Sequence, residues 1–190
     1  MDDLLSMCQN LALLLLCSLL IPFSGCNKRE TSSPALRDVC GLITLDEIQT
    51  TQGSPMSGTK NSARSDGGFR VSQCFYTATE FSKSVNLAVV QRDPGHPGKR
   101  SPRDFWKEKF DPYENEQPQI HSGGEKEKGP APKKITGLGD EAYWVGNRFG
   151  GTLYVLKGDA FISIGLGGTD DEDTRLKKSK ALIEKALQRL

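Results

Sequence analysis

The side chains able to do chemistry are few. Asp140 and Glu141 follow Gly139 at the opening of a strand pattern. Two carboxylates can divide general-acid and general-base work when their surroundings push their pKa values apart. A solvated turn is the commoner use of such a pair. Tyr143, Trp144 and Arg148 place two aromatic faces near a guanidinium. Exposed, they would make a ligand patch; more often such aromatics are core residues on alternate faces of a strand. His96 lies between Gly95 and Pro97, and His121 lies in a charged segment. A nucleophilic triad needs histidine held rigidly between nucleophile and acid, which loop-tip histidines do not provide. Gly53 to Lys60 is a near miss to a phosphate-binding loop. It carries Thr59-Lys60 where Lys-Ser/Thr is needed, and it follows a helix pattern instead of a strand. Gly137-Leu138-Gly139-Asp140 lacks the third glycine and the following helix of a dinucleotide site. No histidine, cysteine or acid grouping has metal-ligand spacing. The sequence thus predicts no catalytic set, no metal and no cofactor.

Cysteine is the remaining reactive type, at positions 8, 17, 26, 40 and 74. Cys26 closes the stretch that begins at Leu11. The apolar run from Leu11 to Phe23 is about 13 residues, short of the roughly 20 that a spanning helix needs and within the range of a signal-peptide core. Phe23-Ser24-Gly25-Cys26 resembles a bacterial lipobox, in which small residues precede a cysteine that is acylated before cleavage. Leucine is usual where Phe23 stands. The leader also carries Asp2 and Asp3 and no basic residue; a start at Met7 would remove both acids. The resulting organisation is a lipoprotein signal peptide over 1–25, lipidation (palmitate among the acyl groups) at Cys26, a flexible tether over 26–35, and one domain over 36–190. Acylation of Cys26 leaves Cys40 and Cys74 as a pair for a disulfide in an oxidising compartment. Closing a loop of about 35 residues would stabilise by roughly 4 kcal/mol on chain-entropy grounds.

The chain has 190 residues, 26% charged and 36% apolar. That apolar share is below the globular average, and the leader uses much of it, so the domain has a modest core. The net charge of +1 rises by only two when Asp2 and Asp3 are lost. This excludes a general nucleic-acid binder, which needs a strong basic stripe.

Positioning elements follow from the pattern. Thr44-Leu45-Asp46-Glu47 is a capping box flanked by Ile43 and Ile48, with Gly53 as a stop, predicting a short helix over about Leu45 to Gln52. Pro55 to Gly68 is Ser/Gly-rich and mostly loop, with room for one edge strand. Phe69 to Thr77 alternates, with Phe69, Val71, Gln73 and Phe75 on one face and Arg70, Ser72, Cys74 and Tyr76 on the other. Val85 to Gln91 alternates as well, within hairpin distance. Ser101, Pro102 and Asp104 open a second helix that buries Phe105, Trp106 and Phe110 and stops near Asp111-Pro112. The segment over about 113–134 is charged, Pro/Gly-containing and nearly without apolar residues, predicting a disordered insert. Glu141 to Asn147, Thr152 to Lys157 and Ala160 to Leu166 predict an antiparallel meander. The last helix runs from about Asp171 to Leu190, with Leu176, Ile183 and Leu190 in its apolar stripe and acids at its start. Its lysines 177, 178, 180 and 185 form a wet face, with anionic lipid head groups as a further use. The fold class is α+β: an antiparallel sheet of about five strands flanked by helices, with the C-terminal amphipathic helix packed on it.

Taken together, Cys40-Gly41-Leu42-Ile43-Thr44, Gln73-Cys74-Phe75-Tyr76 and Gly137-Leu138-Gly139-Asp140-Glu141-Ala142-Tyr143 resemble uncharacterised bacterial exported lipoproteins with a PsbP-like domain. The likeness covers about 39–190. Gln73 departs from the glycine usual before the second half-cystine, and the charged insert is long. The resemblance implies an antiparallel sheet flanked by helices, used for binding or assembly, with no catalytic set. The expected function is a membrane-anchored envelope lipoprotein whose non-catalytic domain binds an envelope protein or a small ligand and no nucleic acid. An envelope hydrolase using Asp140 or Glu141, and a structural or stress-related envelope protein, are the alternatives.

Overall fold

Helix and strand assignments follow the sequence pattern closely except at the two edges of the sheet. The computed structural model describes residues 38–96, 98–114, 130–147 and 150–190. Among them, helices α1 (Leu45–Gln52), α2 (Pro102–Glu114) and α3 (Glu172–Arg189) accompany strands β1 (Met56–Asp66), β2 (Phe69–Ala78), β3 (Val85–Arg92), β4 (Lys133–Lys134), β5 (Glu141–Asn147), β6 (Gly150–Lys157) and β7 (Ala160–Leu166). The strands form one antiparallel sheet in the order β1-β2-β3-β7-β6-β5-β4. The sheet therefore has seven strands, not about five. The additions are the edges, β1 and β4. Strand β1 is exposed along almost its whole length, so it shows no apolar alternation; backbone pairing with β2 makes it a strand. Lys133 and Lys134, expected in the disordered insert, pair with Trp144 and Tyr143. Residues 115–129, the rest of that insert, and the stretch 1–37 lie outside the described residues. No described helix is long and apolar enough to cross a membrane.

Both sheet faces are covered. On one, α1 and α3 pack on Cys74, Tyr76, Leu87, Val89, Trp144, Leu153, Val155, Ile162 and Ile164. On the other, α2 lays Trp106 and Phe110 over Val90, Tyr143, Leu156 and Phe161. Helix α2 starts as expected: Asp104 N donates to Ser101 Oγ at 3.1 Å, and Ser101 N donates to Asp104 Oδ2 at 2.7 Å. It continues past Pro112 to Glu114, because a proline in the last turn removes only one late hydrogen bond. Phe105 was expected to be buried; it is 37% exposed, with its ring against Phe69 and Phe161.

The capping box of α1 is complete. Glu47 N donates to Thr44 Oγ1 at 3.2 Å, and Thr44 N donates to Glu47 Oε2 at 2.9 Å. Gly53 closes the helix at φ 62°, a left-handed conformation that favours glycine. The same Glu47 carboxylate is gripped from the end of α3. Arg189 donates to it through Nη1 at 2.7 Å and Nη2 at 2.8 Å, and Lys185 Nζ lies 3.4 Å away. The Arg189 hydrogen bonds, then those of Thr44 and Lys185, hold Glu47 well below the usual carboxylate range against the opposing effect of its burial. A pKa lower in the folded chain than in the unfolded one, about 4.3, gives stability that is full above that pH. It is lost as pH falls toward the folded value. Glu47→Gln is expected to cost about 1–2 kcal/mol near neutrality. The gap to wild type should narrow, without closing, as the pH drops to about 3, read as urea midpoints at both pH values.

Candidate functional site

Two clefts lie side by side on the α1/α3 face. The first holds about 350 Å³ and is lined by Asp38, Val39, Asn61, Ser62, Ala63, Arg70 and Ser72. Its floor is β1 and β2, whose register sets Asn61 opposite Cys74, Ala63 opposite Ser72 and Ser65 opposite Arg70. Cross-strand partners share a sheet face, so Arg70 and Ser72 point to the same side as Cys74. The second cleft, about 330 Å³, is lined by Gln91, Arg92, Lys157, Asp159, Ala160, Leu187 and Leu190. Gln91 is the cross-strand partner of Arg70 on β3, which makes the clefts neighbours. Arg92 and Asp159 form an ion pair at its rim.

The far wall of the first cleft is a short 3-10 turn, Val39–Gly41. Three contacts fasten it. Cys40 and Cys74 are joined by a disulfide. The Tyr76 hydroxyl lies 3.2 Å from the Cys40 carbonyl and 3.4 Å from that of Val39; burial pushes its phenol pKa up. Cys40 N donates to Asp38 Oδ1 at 3.1 Å. The wall carrying Asp38 is thus bolted to the strand carrying Arg70. Arg70 Nε is closed to solvent and has no hydrogen-bond partner among the described residues. A buried donor left unmade costs about 1–3 kcal/mol; Arg70 is also the one cationic residue among those lining this cleft.

The residues singled out in the sequence are placed elsewhere. Tyr143 and Trp144 are 3% and 1% exposed and belong to the two opposite cores. They share no surface, so the patch built on them with Arg148 is not formed; Arg148 itself lies outside the described residues. Asp140 Oδ2 accepts from Gly158 N at 2.8 Å and Arg103 Nη2 at 3.1 Å. Glu141 Oε2 accepts from Trp106 Nε1 at 2.9 Å. One acid ties a turn, the other anchors α2, and each is engaged with its own partners. Gly53 to Lys60 is a helix stop followed by β1, with no helix after it to cradle phosphate. His121 lies outside the described residues.

A Ser/Asp/His grouping that the sequence did not suggest does occur. Asp93, 4% exposed at its side chain, accepts from Ser65 Oγ and from Gly95 N, the latter at 2.9 Å. It lies 3.3 Å from His96 Nδ1. The Ser65 hydrogen bond lowers the Asp93 pKa most, with Gly95 and His96 adding to it. The carboxylate stands at the centre of this group, whereas nucleophile activation needs imidazole there. His96 is also 77% exposed. The group locks the loop after β3 onto the β1–β2 hairpin. Among the described residues no three histidine, cysteine or acidic side chains are placed to hold a metal.

Arg70 was legible as a strand residue on the Cys74 face, but nothing in its local pattern marked it as lining a cleft. That depends on β1 extending the sheet beyond β2 and on the disulfide raising a wall over it. No family model, no curated protein and no solved structure matches the chain.

Proposed function

We propose that this chain is an exported lipoprotein of the bacterial cell envelope, non-catalytic and anchored through acylated Cys26, whose domain binds a small ligand in the Arg70 cleft. The observation that carries the binding half is a cleft of about 350 Å³ lined by Arg70 and Asp38, one wall of which the disulfide fastens to β2. The anchoring half rests on the Leu11–Cys26 stretch and its lipobox. The Cys40–Cys74 bridge supports it, because disulfides persist in oxidising compartments. The family resemblance to exported lipoproteins with a PsbP-like domain belongs to the same proposal. A tether of about nine residues reaches roughly 30 Å when extended, enough to hold the cleft clear of lipid head groups. The hydrolase alternative is not favoured, since Asp140 and Glu141 each satisfy structural partners.

Native mass spectrometry of the full chain released from membranes reads both halves. Acyl mass on Cys26 and a co-purifying small molecule are expected in wild type, and the small molecule is expected to be missing in Arg70→Gln. Unmodified Cys26 would remove the anchor. Equal ligand retention in both proteins would remove the cleft.

A further inference from the structure

Two oppositely charged residues line the Arg70 cleft without forming an ion pair. Arg70 rises from β2, and Asp38 caps the 3-10 turn on the opposing wall; both line the cleft. Asp38 Oδ1 accepts from the Cys40 amide, and no ion pair joins Asp38 to Arg70 among the described residues. Neither wall is free to close the gap. The disulfide and the Tyr76 hydroxyl hold the turn, and sheet pairing on both sides holds Arg70.

This arrangement selects by charge. A simple anion on Arg70 would lie in the repulsive field of Asp38, and a simple cation on Asp38 would lie in that of Arg70. A ligand with both signs a few ångströms apart meets attraction at each end. The Asn61 amide and the Ser72 hydroxyl belong to the same lining and can serve a polar substituent. The volume, about 350 Å³, falls at the small end of ligand sites, which suits one small molecule better than a peptide whose charged termini lie far apart.

We propose that the cleft binds a free α-amino acid, its carboxylate on Arg70 and its ammonium on Asp38. The inference rests on the binding reading above and narrows its ligand. It involves no chemical step: the carboxylate accepts from the guanidinium, and the ammonium donates to the Asp38 carboxylate.

The test uses the full chain in detergent, with the twenty common L-amino acids as probes in a thermal-shift screen and titration calorimetry on those that bind. Each binder is compared with its N-acetyl form, which keeps only the carboxylate, and with its amide, which keeps only the ammonium. At least one amino acid is expected to bind, with both half-charged forms weaker by about tenfold or more, the value of one lost charge-assisted hydrogen bond. Arg70→Gln and Asp38→Asn should each weaken the parent amino acid by a similar factor. Their unfolding temperatures without ligand show that each is folded. Three results would overturn the inference: no binder among the twenty, an N-acetyl form that binds as tightly as its parent, or an Asp38→Asn variant that binds unchanged. The native mass-spectrometry comparison judges the wider binding reading separately, because it does not presuppose an amino acid.

Discussion

Alanine at both Cys40 and Cys74 is expected to lower the unfolding temperature by on the order of 10 °C. The bridge closes a sequence separation of 34, and releasing it returns about 4 kcal/mol of chain entropy to the unfolded state. Little in the folded state compensates. The turn at Val39–Gly41 would keep the Tyr76 hydroxyl, its own backbone hydrogen bonds and the burial of Val39 in the core, but no covalent link to β2. Circular dichroism melts of the double variant beside oxidised wild type give the measurement. A difference of less than about 3 °C would mean that the bridge adds less than about 1 kcal/mol. The variant should also lose affinity at the Arg70 cleft, since Asp38 rides on the released turn.

Gly151→Ala is expected to cost about 3 kcal/mol, at the upper end for overpacking a core. Gly151 pairs with Gly146 across β5 and β6. A Cβ there would overlap the six-membered ring of the Trp144 indole, lying 2.6 Å from Cε2 and 2.8 Å from Cη2 with Cζ2 closer still. Trp144 is 1% exposed, so its ring has nowhere to go without displacing the core under α3. Trp144→Phe removes those ring atoms. It sacrifices no hydrogen bond, because Trp144 Nε1 has no partner among the described residues. The double variant Gly151→Ala/Trp144→Phe should therefore be more stable than the sum of its single effects, with a coupling of roughly 1–3 kcal/mol. Guanidinium-chloride midpoints of the four proteins measure it; strict additivity would mean that the indole is not what the methyl strikes.

Much of the fold was legible because local rules and tertiary packing agree. Thr44 and Glu47 announced α1 as a capping box, and that box is present. Asp171 caps α3, its side chain accepting from Thr174 N at 2.9 Å. The meander over Glu141 to Leu166 follows its alternation. What stayed hidden has a physical cause in each case. Strand β1 buries almost nothing, so apolar periodicity could not report it. Arg175 and Ser179 are 7% and 0% exposed on α3, and as polar residues they add nothing to an apolar stripe that would mark them as buried. Arg175 is buried because its Nη2 donates to the carbonyls of Gly168 at 3.0 Å and Asp170 at 2.8 Å, clipping the loop before the helix. Tyr143 and Trp144 looked adjacent in the sequence, but a strand sends neighbours to opposite faces.

The strand order also bears on how the chain finds its fold. Every ladder joins consecutive strands except one, the pairing of Val85–Val90 with Phe161–Leu166 between β3 and β7. The first three strands can therefore close as one meander and the last three as another, each by short-range contacts of the kind that form early. Both half-cystines lie in or just before the first meander. Its bridge can be oxidised while the second meander is still being delivered, and the slow step left is the meeting of two preformed halves along a single seam.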